Sequence, residues 1–448
     1  LEATQLFVAE TGVTVNVGVR STDGTGVSVI TRASGNFLGD GFKDGMLIGV
    51  AGTFGVTSGN ATTKDTSFTI KQASASTLIL ESGSTLKTES ARNVVLFQSA
   101  KDAGNPFNQI TKLLIQKRKA VVIDGTGSLD VTANTQIFIN TATLLTVGRV
   151  ESLSGKEIRL KSSTGLLNGG AADAVNIKGG DTVPEGGDGS VGAATRVIGS
   201  DLTTGSTLAV RAAGDIFVTA RNGDLNLESA FSQGGNVTFV SERGSILDGV
   251  HTDTNKIVAA NVYLKAAGSI GAKGDAIEMK LTGTVRAGAT GDIVLTETET
   301  SMKVLAVTTK GDVVLAAKAS ILDAGDLSDP RDIDSAPVAG SGRANVSGHS
   351  ITLIALDGIG VAGDEFEIDS NVGGTTDGVV TLQSGLSNLY VVETAGDLYL
   401  ASVGTDAQRT AFVTAVAGSI LNGSTNYNET TGGSSNLRSG KAYLVASG

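Results

Sequence analysis

Acidic side chains crowd one polar stretch of this sequence at spacings that could bind a cation. Five aspartates fall within a single short stretch: Asp323, Asp326, Asp329, Asp332 and Asp334. Calcium is bound by six to eight oxygen atoms from carboxylates, carbonyls and water. We therefore expect a calcium site in this stretch, and Ca²⁺ is the only cofactor that the sequence suggests. The alternative is a solvated acidic loop that binds no metal.

Two further acidic groups are candidates for the same ion. They are Asp364, Glu365, Glu367 and Asp369 in one segment, and Asp181, Glu185 and Asp188 in another. None of the three groups matches the helix–loop–helix calcium motif or the Gly-Gly-x-Gly-x-Asp nonapeptide. The alternative for each group is again a solvated acidic surface.

Residues suited to catalysis are scarce in this sequence. Cysteine is absent, which excludes thiol nucleophiles and cysteine-ligated metal sites. The two histidines, His251 and His349, lie beside turn-rich stretches and outside any motif with a nucleophile, so we expect them to be solvated or to cap turns. Most of the other aspartates stand in Gly-Asp or Asp-Gly pairs, where a carboxylate shapes a turn through Asx hydrogen bonds. The sequence therefore predicts no catalytic residue and no enzyme.

Two further features of the sequence each have a functional and a non-functional interpretation. The only basic cluster could contact an acidic glycan or a neighbouring subunit, or form a solvated strand edge; it consists of Lys112, Lys117, Arg118 and Lys119. Asn60 and Asn428 fit the acceptor pattern for N-glycosylation, which is frequent by chance.

The composition favours a protein built of many short β-strands. The chain has 448 residues, with 61 glycines, 40% hydrophobic residues and only 4% aromatic residues. Branched aliphatic residues suit strands, and glycine suits the tight turns between them. The net charge of −11 argues against nucleic acid as a partner. No apolar run approaches the roughly 20 residues of a membrane helix.

Residues 27–90 differ from the rest and predict a small β-barrel or sandwich of about five strands. The order Gly-Phe, Gly-Met, Phe-Thr-Ile, Leu-Ile-Leu resembles a small β-module of phage tail and bacterial surface proteins. If this domain binds a ligand, Phe37, Phe42 and Phe54 should be exposed; if they fill its core, they should be buried. Residues 1–26 precede it and are predicted as a lead-in or as the first strand of the following solenoid.

Residues 91–448 contain two recurring phrases. The first is a short apolar strand that ends in Asn or Asp before a small residue, with copies at 164–169, 244–249, 319–324 and 418–423. The second is Gly-Asp followed by an alternating strand, with copies that begin at Gly214, Gly223, Gly291, Gly311 and Gly396. Asp292 and Asp312 are 20 residues apart, which fits one coil of a parallel β-helix. At about 22 residues per coil, we predict about 16 coils stacked about 4.8 Å apart.

A longer repeat overlies the coils. A Leu-containing phrase recurs at Leu208, Leu264, Leu353 and Leu444, which predicts a super-repeat of several coils with one polar loop. The loops are predicted at about 170–206, 249–258, 324–345 and 423–437. The last copy stops at Gly448 where the second copy continues, so we expect the native chain to be longer.

The Gly-Asp-Ile-x-Leu and Gly-Ser-Ile-Leu-Asp phrases resemble the repeats of filamentous-haemagglutinin-like proteins and giant bacterial repeat adhesins. The resemblance covers residues 91–448 and implies a right-handed parallel β-helix, all-β, at the cell surface. It implies an extracellular structural or adhesive rod in a surface adhesin, biofilm matrix, filament or sheath. The expected partners are further copies of the chain, joined end to end or side by side, and host, surface or matrix glycans.

Two other functions are compatible with the sequence. Parallel β-helices include polysaccharide-acting enzymes and tailspikes, which would require paired carboxylates about 5–9 Å apart in a cleft. The third function is a glycan- or protein-binding module that binds through residues 27–90.

Overall fold

The computed structural model describes most of the chain, and all of its regular elements are β-strands. The described residues are 15–20, 27–32, 37–38, 42, 44–45, 47–51, 67–81, 89–92, 95–98, 121–122, 127–325, 344–372, 378–424 and 435–448. Within these ranges there is no helix, and therefore none that could span a membrane. The chain divides into two compact units, residues 1–123 with 138–140 and residues 124–137 with 141–448.

The first unit contains a seven-stranded antiparallel sheet. Its strands are β1 (Val15–Arg20), β2 (Val27–Arg32), β3 (Leu47–Ala51), β4 (Ser67–Ala73), β5 (Thr77–Leu80), β6 (Glu89–Arg92) and β7 (Val95–Gln98). They lie in the order β6-β1-β2-β5-β4-β3-β7. The strand β1, from the stretch considered a lead-in or first solenoid strand, pairs antiparallel with β2. Two further strands, β8 (Val121–Val122) and β10 (Ile137–Thr141), pair in parallel.

The second unit is a parallel β-solenoid of about 12 turns. The strands of its first sheet, called sheet I, are β12 (Ile158–Ser162), β15 (Thr182–Glu185), β17 (Thr207–Ala212), β19 (Leu225–Ser232), β21 (Ile246–Asp248), β22 (Ile257–Ala259), β24 (Ile277–Leu281), β26 (Ile293–Glu297), β28 (Val313–Ala317), β31 (Ile351–Ala355), β33 (Val379–Ser384), β35 (Leu398–Gly404), β37 (Ile420–Asn422) and β38 (Leu437–Arg438).

The other face of the solenoid is called sheet II. Its strands are β9 (Ser128–Ala133), β11 (Leu145–Ser152), β13 (Leu166–Asn168), β14 (Ile177–Gly179), β16 (Ile198–Leu202), β18 (Ile216–Ala220), β20 (Val237–Ser241), β23 (Val262–Ala266), β25 (Thr284–Gly288), β27 (Met302–Thr308), β29 (Ile321–Asp323), β30 (Val346–Ser347), β32 (Phe366–Asp369), β34 (Leu389–Glu393), β36 (Thr410–Ala415) and β39 (Lys441–Ala446). The chain alternates between the sheets, so that each coil contributes one strand position to each.

The prediction of an all-β parallel solenoid with a small additional β-sheet region is confirmed. The predicted number of about 16 coils is too high. Coil length is not constant: one coil separates Asp292 from Asp312, 20 residues on, whereas the next separates Asp312 from Ser350, 38 residues on. Coils that carry polar loops are longer, so the same chain makes fewer of them.

Columns of aliphatic side chains fill the solenoid. Ile293, Val313, Ile351 and Val380 occupy one register position on four successive strands of sheet I, and all four are fully buried. One coil alone could not bury such residues, because the cover for each comes from the coils above and below and from the facing sheet. Alternation within each strand supplies the inward positions, as the burial pattern of β28 shows.

The Gly-Asp phrases lie at coil corners, but their carboxylates bond between coils. Asp292 Oδ1 accepts the backbone N–H of Asp312 at 2.9 Å, and Asp312 Oδ1 accepts that of Ser350 at 3.1 Å. Asp224 and Asp397 make the same bond, at 2.7 Å, to Ser245 and Ser419. The local Asx turns expected from the sequence are therefore not the role of these residues, because each side chain reaches along the stack to the next coil.

Candidate functional site: the stems of the polar loops

Four strands of the solenoid contain one residue more than the strand before them. The extra residue is Glu228 in β19, Leu305 in β27 and Ala401 in β35, and it lies at Gly148–Arg149 in β11. Such a β-bulge breaks the register within the strand. As a consequence, each of these strands pairs with two short strands in the next coil instead of one.

The chain leaves the solenoid between the two short strands. The first short strand ends in Asn or Asp, and its side-chain oxygen accepts the N–H of the residue two positions on. The four bonds are Asn168 to Gly170 at 2.7 Å, Asp248 to Val250 at 2.8 Å, Asp323 to Gly325 at 2.6 Å and Asn422 to Ser424 at 2.8 Å. This is an Asx turn, and it starts every loop in the same way.

A second side chain closes each loop at its base. It belongs to the residue that precedes the second short strand, and it contacts the Asn or Asp that ended the first. The resulting pairs are stem 1 (Asn176 Nδ2 to Asn168 Oδ1, 2.7 Å), stem 2 (Lys256 Nζ to Asp248 Oδ2, 3.2 Å), stem 3 (Asn345 Nδ2 to Asp323 Oδ1, 2.7 Å) and stem 4 (Asn436 Nδ2 to Asn422 Oδ1, 2.8 Å).

The closing asparagines also donate hydrogen bonds to backbone carbonyls of the bulged strand in the preceding coil. Asn176 Nδ2 donates to the carbonyls of Val147 and Gly148 at 2.9 and 3.0 Å. Asn436 Nδ2 donates to Leu400 and Ala401, at 2.7 and 3.2 Å. These carbonyls flank the register break, so the amide replaces ladder bonds that the bulge removes.

The recurring phrases of the sequence predict the first residue of each stem but not the closing residue. The closing residue is separated from its partner by a loop of variable length, so no fixed spacing marks it. In the stems, Asn or Lys directly precedes Ile, Val or Leu, as Asn176-Ile177, Lys256-Ile257, Asn345-Val346 and Asn436-Leu437. The same pattern occurs elsewhere, as in Asn236-Val237 and Asn261-Val262, so it does not mark a stem by itself.

The stems recur at a spacing that alternates between the sheets. From β11 to β19 the chain passes β12, the pair β13 and β14, β15, β16, β17 and β18. That is seven strand positions, or three and a half coils, and the same count leads from β19 to β27 and from β27 to β35. Because the count is odd, stems 1 and 3 lie in sheet II and stems 2 and 4 lie in sheet I.

This count also corrects the longer repeat. Leu264, Leu353 and Leu444 lie in β23, β31 and β39, which are seven positions apart. Leu208 lies in β17, only five positions before β23, so it is not an equivalent copy. Its sequence is similar because the strands of the solenoid share the same alternation of inward and outward side chains.

The expected calcium ligands lie mostly outside the described residues. Asp326, Asp329, Asp332 and Asp334 belong to the stretch 326–343, which the structure does not describe. Asp323 is described, and its Oδ1 accepts Asn345 Nδ2 and the N–H of Gly325, as stem 3 requires.

The other two acidic groups are described, and their oxygens also bond within the chain. Glu365 Oε1 accepts Gly363 N–H, Asp369 Oδ1 accepts Asn371 N–H, and Asp181 Oδ1 accepts Thr207 N–H. Within the described ranges, no three Asp, Glu or His side chains are grouped closely enough to hold a metal ion.

Both histidines lie next to carboxylates at the surface of the solenoid. His251 Nδ1 lies 2.7 Å from Asp275 Oδ2. His349 Nδ1 lies 3.2 Å from Asp312 Oδ1 and 3.3 Å from Ser350 Oγ. Serine, histidine and aspartate thus meet, but a catalytic relay uses the two different ring nitrogens, whereas here both partners contact Nδ1. This geometry is that of a hydrogen-bonded corner.

An open groove of about 820 Å³ lies beside stem 4. It is lined by the last residues of β33 and β35, by the segments that follow these strands, and by Ser435, Arg438 and Ser439. Its lining includes one carboxylate, Asp406, and one guanidinium, Arg438, rather than the pair of carboxylates that glycoside hydrolysis uses.

Of the aromatic residues considered for binding in residues 27–90, two are buried. Phe37 and Phe42 are each 2% exposed, and their rings meet edge to face at 5.4 Å between centroids. They pack in the core of the first unit, as the second interpretation expected. Phe54 lies outside the described residues, as do the basic cluster (Lys112, Lys117, Arg118 and Lys119) and the acceptors Asn60 and Asn428.

Comparison with known proteins found no matching family model, no matching curated protein and no matching solved structure.

Proposed function

We propose that this chain is a segment of an extracellular structural or adhesive rod, of the kind found in filamentous-haemagglutinin-like surface proteins. The observation that supports this most is the continuity of the stack. Parallel pairing runs from coil to coil in both sheets, from β12 to β38 and from β9 to β39. A protein whose task is to span distance needs such a repeating, self-covering backbone and no cleft.

Side chains on successive coils also contact one another along the direction in which the coils stack. The rings of Tyr390, Phe412 and Tyr443 stack on three successive strands of sheet II, with centroids 4.6 and 4.9 Å apart and planes within 5°. The aspartates of the Gly-Asp corners add a hydrogen bond from each coil to the next. Each bond lies along the direction in which a rod would carry load.

The loops supply the adhesive part of the proposal. They leave the solenoid from stems of fixed construction, and loops on a rigid scaffold are where binding residues usually lie. Surface or matrix glycans are the proposed ligands of the loops, and calcium is the proposed ligand of the stretch 323–334. The stems hold the loop bases whatever the loops contain, so loops can vary without disturbing the coils.

Electron microscopy of the protein with calcium, and of a matched sample with a chelator, tests this proposal. We expect straight, elongated particles or filaments with a regular axial repeat, and a loss of lateral or end-to-end order when calcium is removed. Elongated particles that chelation leaves unchanged would contradict the calcium part alone. Particles without an elongated outline would contradict the rod.

A further inference from the structure

Stem 2 differs from the other three stems because its closing side chain, Lys256, is ionisable. Lys256 is completely buried, Asp248 is 2% exposed and Glu278, on β24, is 7% exposed. Lys256 Nζ lies 3.2 Å from Asp248 Oδ2 and 3.6 Å from Glu278 Oε2. An amine, a carboxyl group and a second carboxyl group are therefore held together away from water.

Closing the loop does not by itself require an amine. Stem 3 closes a loop with Asn345 and Asp323, and a glutamate, Glu367, follows at the position equivalent to Glu278. Replacing the asparagine by lysine in that arrangement exchanges an inert amide for a group that is nucleophilic when neutral. Stem 2 thus contains a nucleophile, an electrophilic carboxyl carbon and a neighbouring proton carrier.

We propose that Lys256 and Asp248 condense to form an intramolecular amide bond, with Glu278 transferring the protons. Glu278 accepts one proton from the ammonium group, and the freed lone pair of Nζ attacks Cγ of Asp248. Nζ then loses a second proton, the bond from Cγ to one carboxyl oxygen breaks, and that oxygen leaves as water with both protons. Ammonium and carboxylate thus give one amide and one water molecule, so charge and atoms balance and no further reactant is needed.

The surroundings hold both reacting groups in place. The Asp248 carboxylate accepts the N–H of Val250 at 2.8 Å and that of Thr252 at 3.0 Å, and these bonds polarise its carbon. Lys256 Nζ donates to the carbonyls of Thr252 and Thr254 at 2.5 and 2.7 Å. Fixed reactants in a dry site require little further ordering before the bond forms.

Glu278 is suited to carry the proton. Its Oε2 is buried and has no hydrogen-bond partner, so this oxygen is available to the ammonium group beside it. Burial raises the pKa of Glu278, although the positive charge of Lys256 acts in the opposite direction. A raised pKa makes the carboxylate a better proton acceptor.

Intact-mass measurement of the folded full chain tests the proposal. We expect wild-type protein to be lighter than its sequence by the mass of one water molecule. Peptide mapping should show a cross-linked pair of peptides joined between Asp248 and Lys256, with no tryptic cleavage after Lys256. Lys256→Asn, which reproduces the Asp–Asn pair of stem 3, and Glu278→Gln should both fold and keep the full sequence mass.

The Asp248-Gly249 sequence provides an internal control, because cyclisation to a succinimide would also release one water molecule. A mass loss that persists in Lys256→Asn would assign the loss to the succinimide and overturn the proposal. A folded wild-type protein at its full sequence mass after prolonged incubation would overturn it as well. If one variant does not fold, as judged by circular dichroism, the other still decides.

Discussion

At the scale of single residues, the solenoid contains buried carboxyl groups that accept hydrogen bonds from the backbone of a neighbouring coil. Glu393, at the end of β34, is completely buried and accepts the hydroxyl of Ser370 at 2.6 Å and its N–H at 3.2 Å. Glu297 ends β26, one super-repeat earlier, and accepts the N–H of Leu281 at 2.9 Å. Burial raises the pKa of both carboxyl groups, that of Glu393 from 4.5 to about 8. The sequence does not predict the burial of either residue, because nothing in a strand-final Glu distinguishes a buried from an exposed side chain.

The raised pKa of Glu393 predicts that stability falls as pH rises. Between about 4.5 and about 8 the folded protein holds a proton on Glu393 that the unfolded chain releases. The stabilisation is therefore complete below pH 4.5 and lost as pH rises through about 8. At about 1.4 kcal/mol per pKa unit, the loss by pH 9 is on the order of 5 kcal/mol.

Glu393→Gln should remove most of this dependence, and urea unfolding at pH 5, 7 and 9 measures it. We expect the variant to be more stable than wild type at pH 9 and similar at pH 5. Glu299→Gln, which changes a glutamate whose side chain is 47% exposed, is the control and should leave the slope unchanged. Equal pH slopes for wild type and Glu393→Gln would show that Glu393 does not hold the proton.

At the scale of elements, the loop stem is a transferable unit. The bulged strand, the Asx turn and the closing side chain occur together in four places, while most of the residues between the two stem positions differ from loop to loop. Loops 169–176 and 249–256 have the same number of residues and leave equivalent positions in opposite sheets. The stem, rather than the loop sequence, therefore determines how the chain leaves and rejoins the solenoid.

Replacing residues 249–256 by the sequence of 169–176 should give a folded protein. The incoming asparagine would face Asp248, as Asn345 faces Asp323 in stem 3, and could accept the N–H of Glu278 as Asn345 accepts that of Glu367 at 2.9 Å. We expect an unchanged far-UV circular dichroism spectrum and a melting temperature within a few degrees of wild type. The same replacement with alanine instead of the closing asparagine at position 256 forms the control.

In this control the side chain at position 256 is too short to reach Asp248. We expect a clearly lower melting temperature for it. If the two replacements melt together, the closing side chain does not contribute to the stem.

At the scale of the whole solenoid, stability comes from contacts between neighbouring coils. The last described strand, β39, has a neighbouring coil on one side only, and its apolar side chains are therefore partly exposed. The side chains of Tyr443, Leu444 and Val445 on β39 are 43%, 47% and 56% exposed. Val413, which occupies the register position of Leu444 on β36, is 1% exposed. An apolar strand edge of this kind favours pairing with another chain.

Charge at this edge should therefore reduce self-association. We expect a protein of residues 1–448 to form oligomers with rising concentration in sedimentation velocity, and Leu444→Glu combined with Val445→Glu to lower the oligomer fraction at least tenfold. Leu153→Glu, at a leucine that is 59% exposed elsewhere on the solenoid, is the control. If residues 1–448 stay monomeric at high concentration, this edge does not pair with another chain.

The sequence by itself determined the fold class of this protein. Alternating aliphatic residues, glycine turns and the Gly-Asp and Ile-Leu-Asp phrases are local features, and each follows from the period of a strand and the chemistry of a turn. They predicted a parallel solenoid and located the first residue of every loop stem, such as Asp248. They could not give the coil number, because polar loops of variable length lie between equivalent strands.

Only the tertiary structure decided which distant residues meet. Lys256 closes a loop on Asp248, and Glu278 reaches the same pocket from the next coil, yet no spacing rule connects the three. The odd number of strand positions in the super-repeat is likewise invisible until pairing assigns each strand to a sheet. Local sequence determines where strands and turns form. The register between coils determines which residues are neighbours, and the candidate site depends on those contacts.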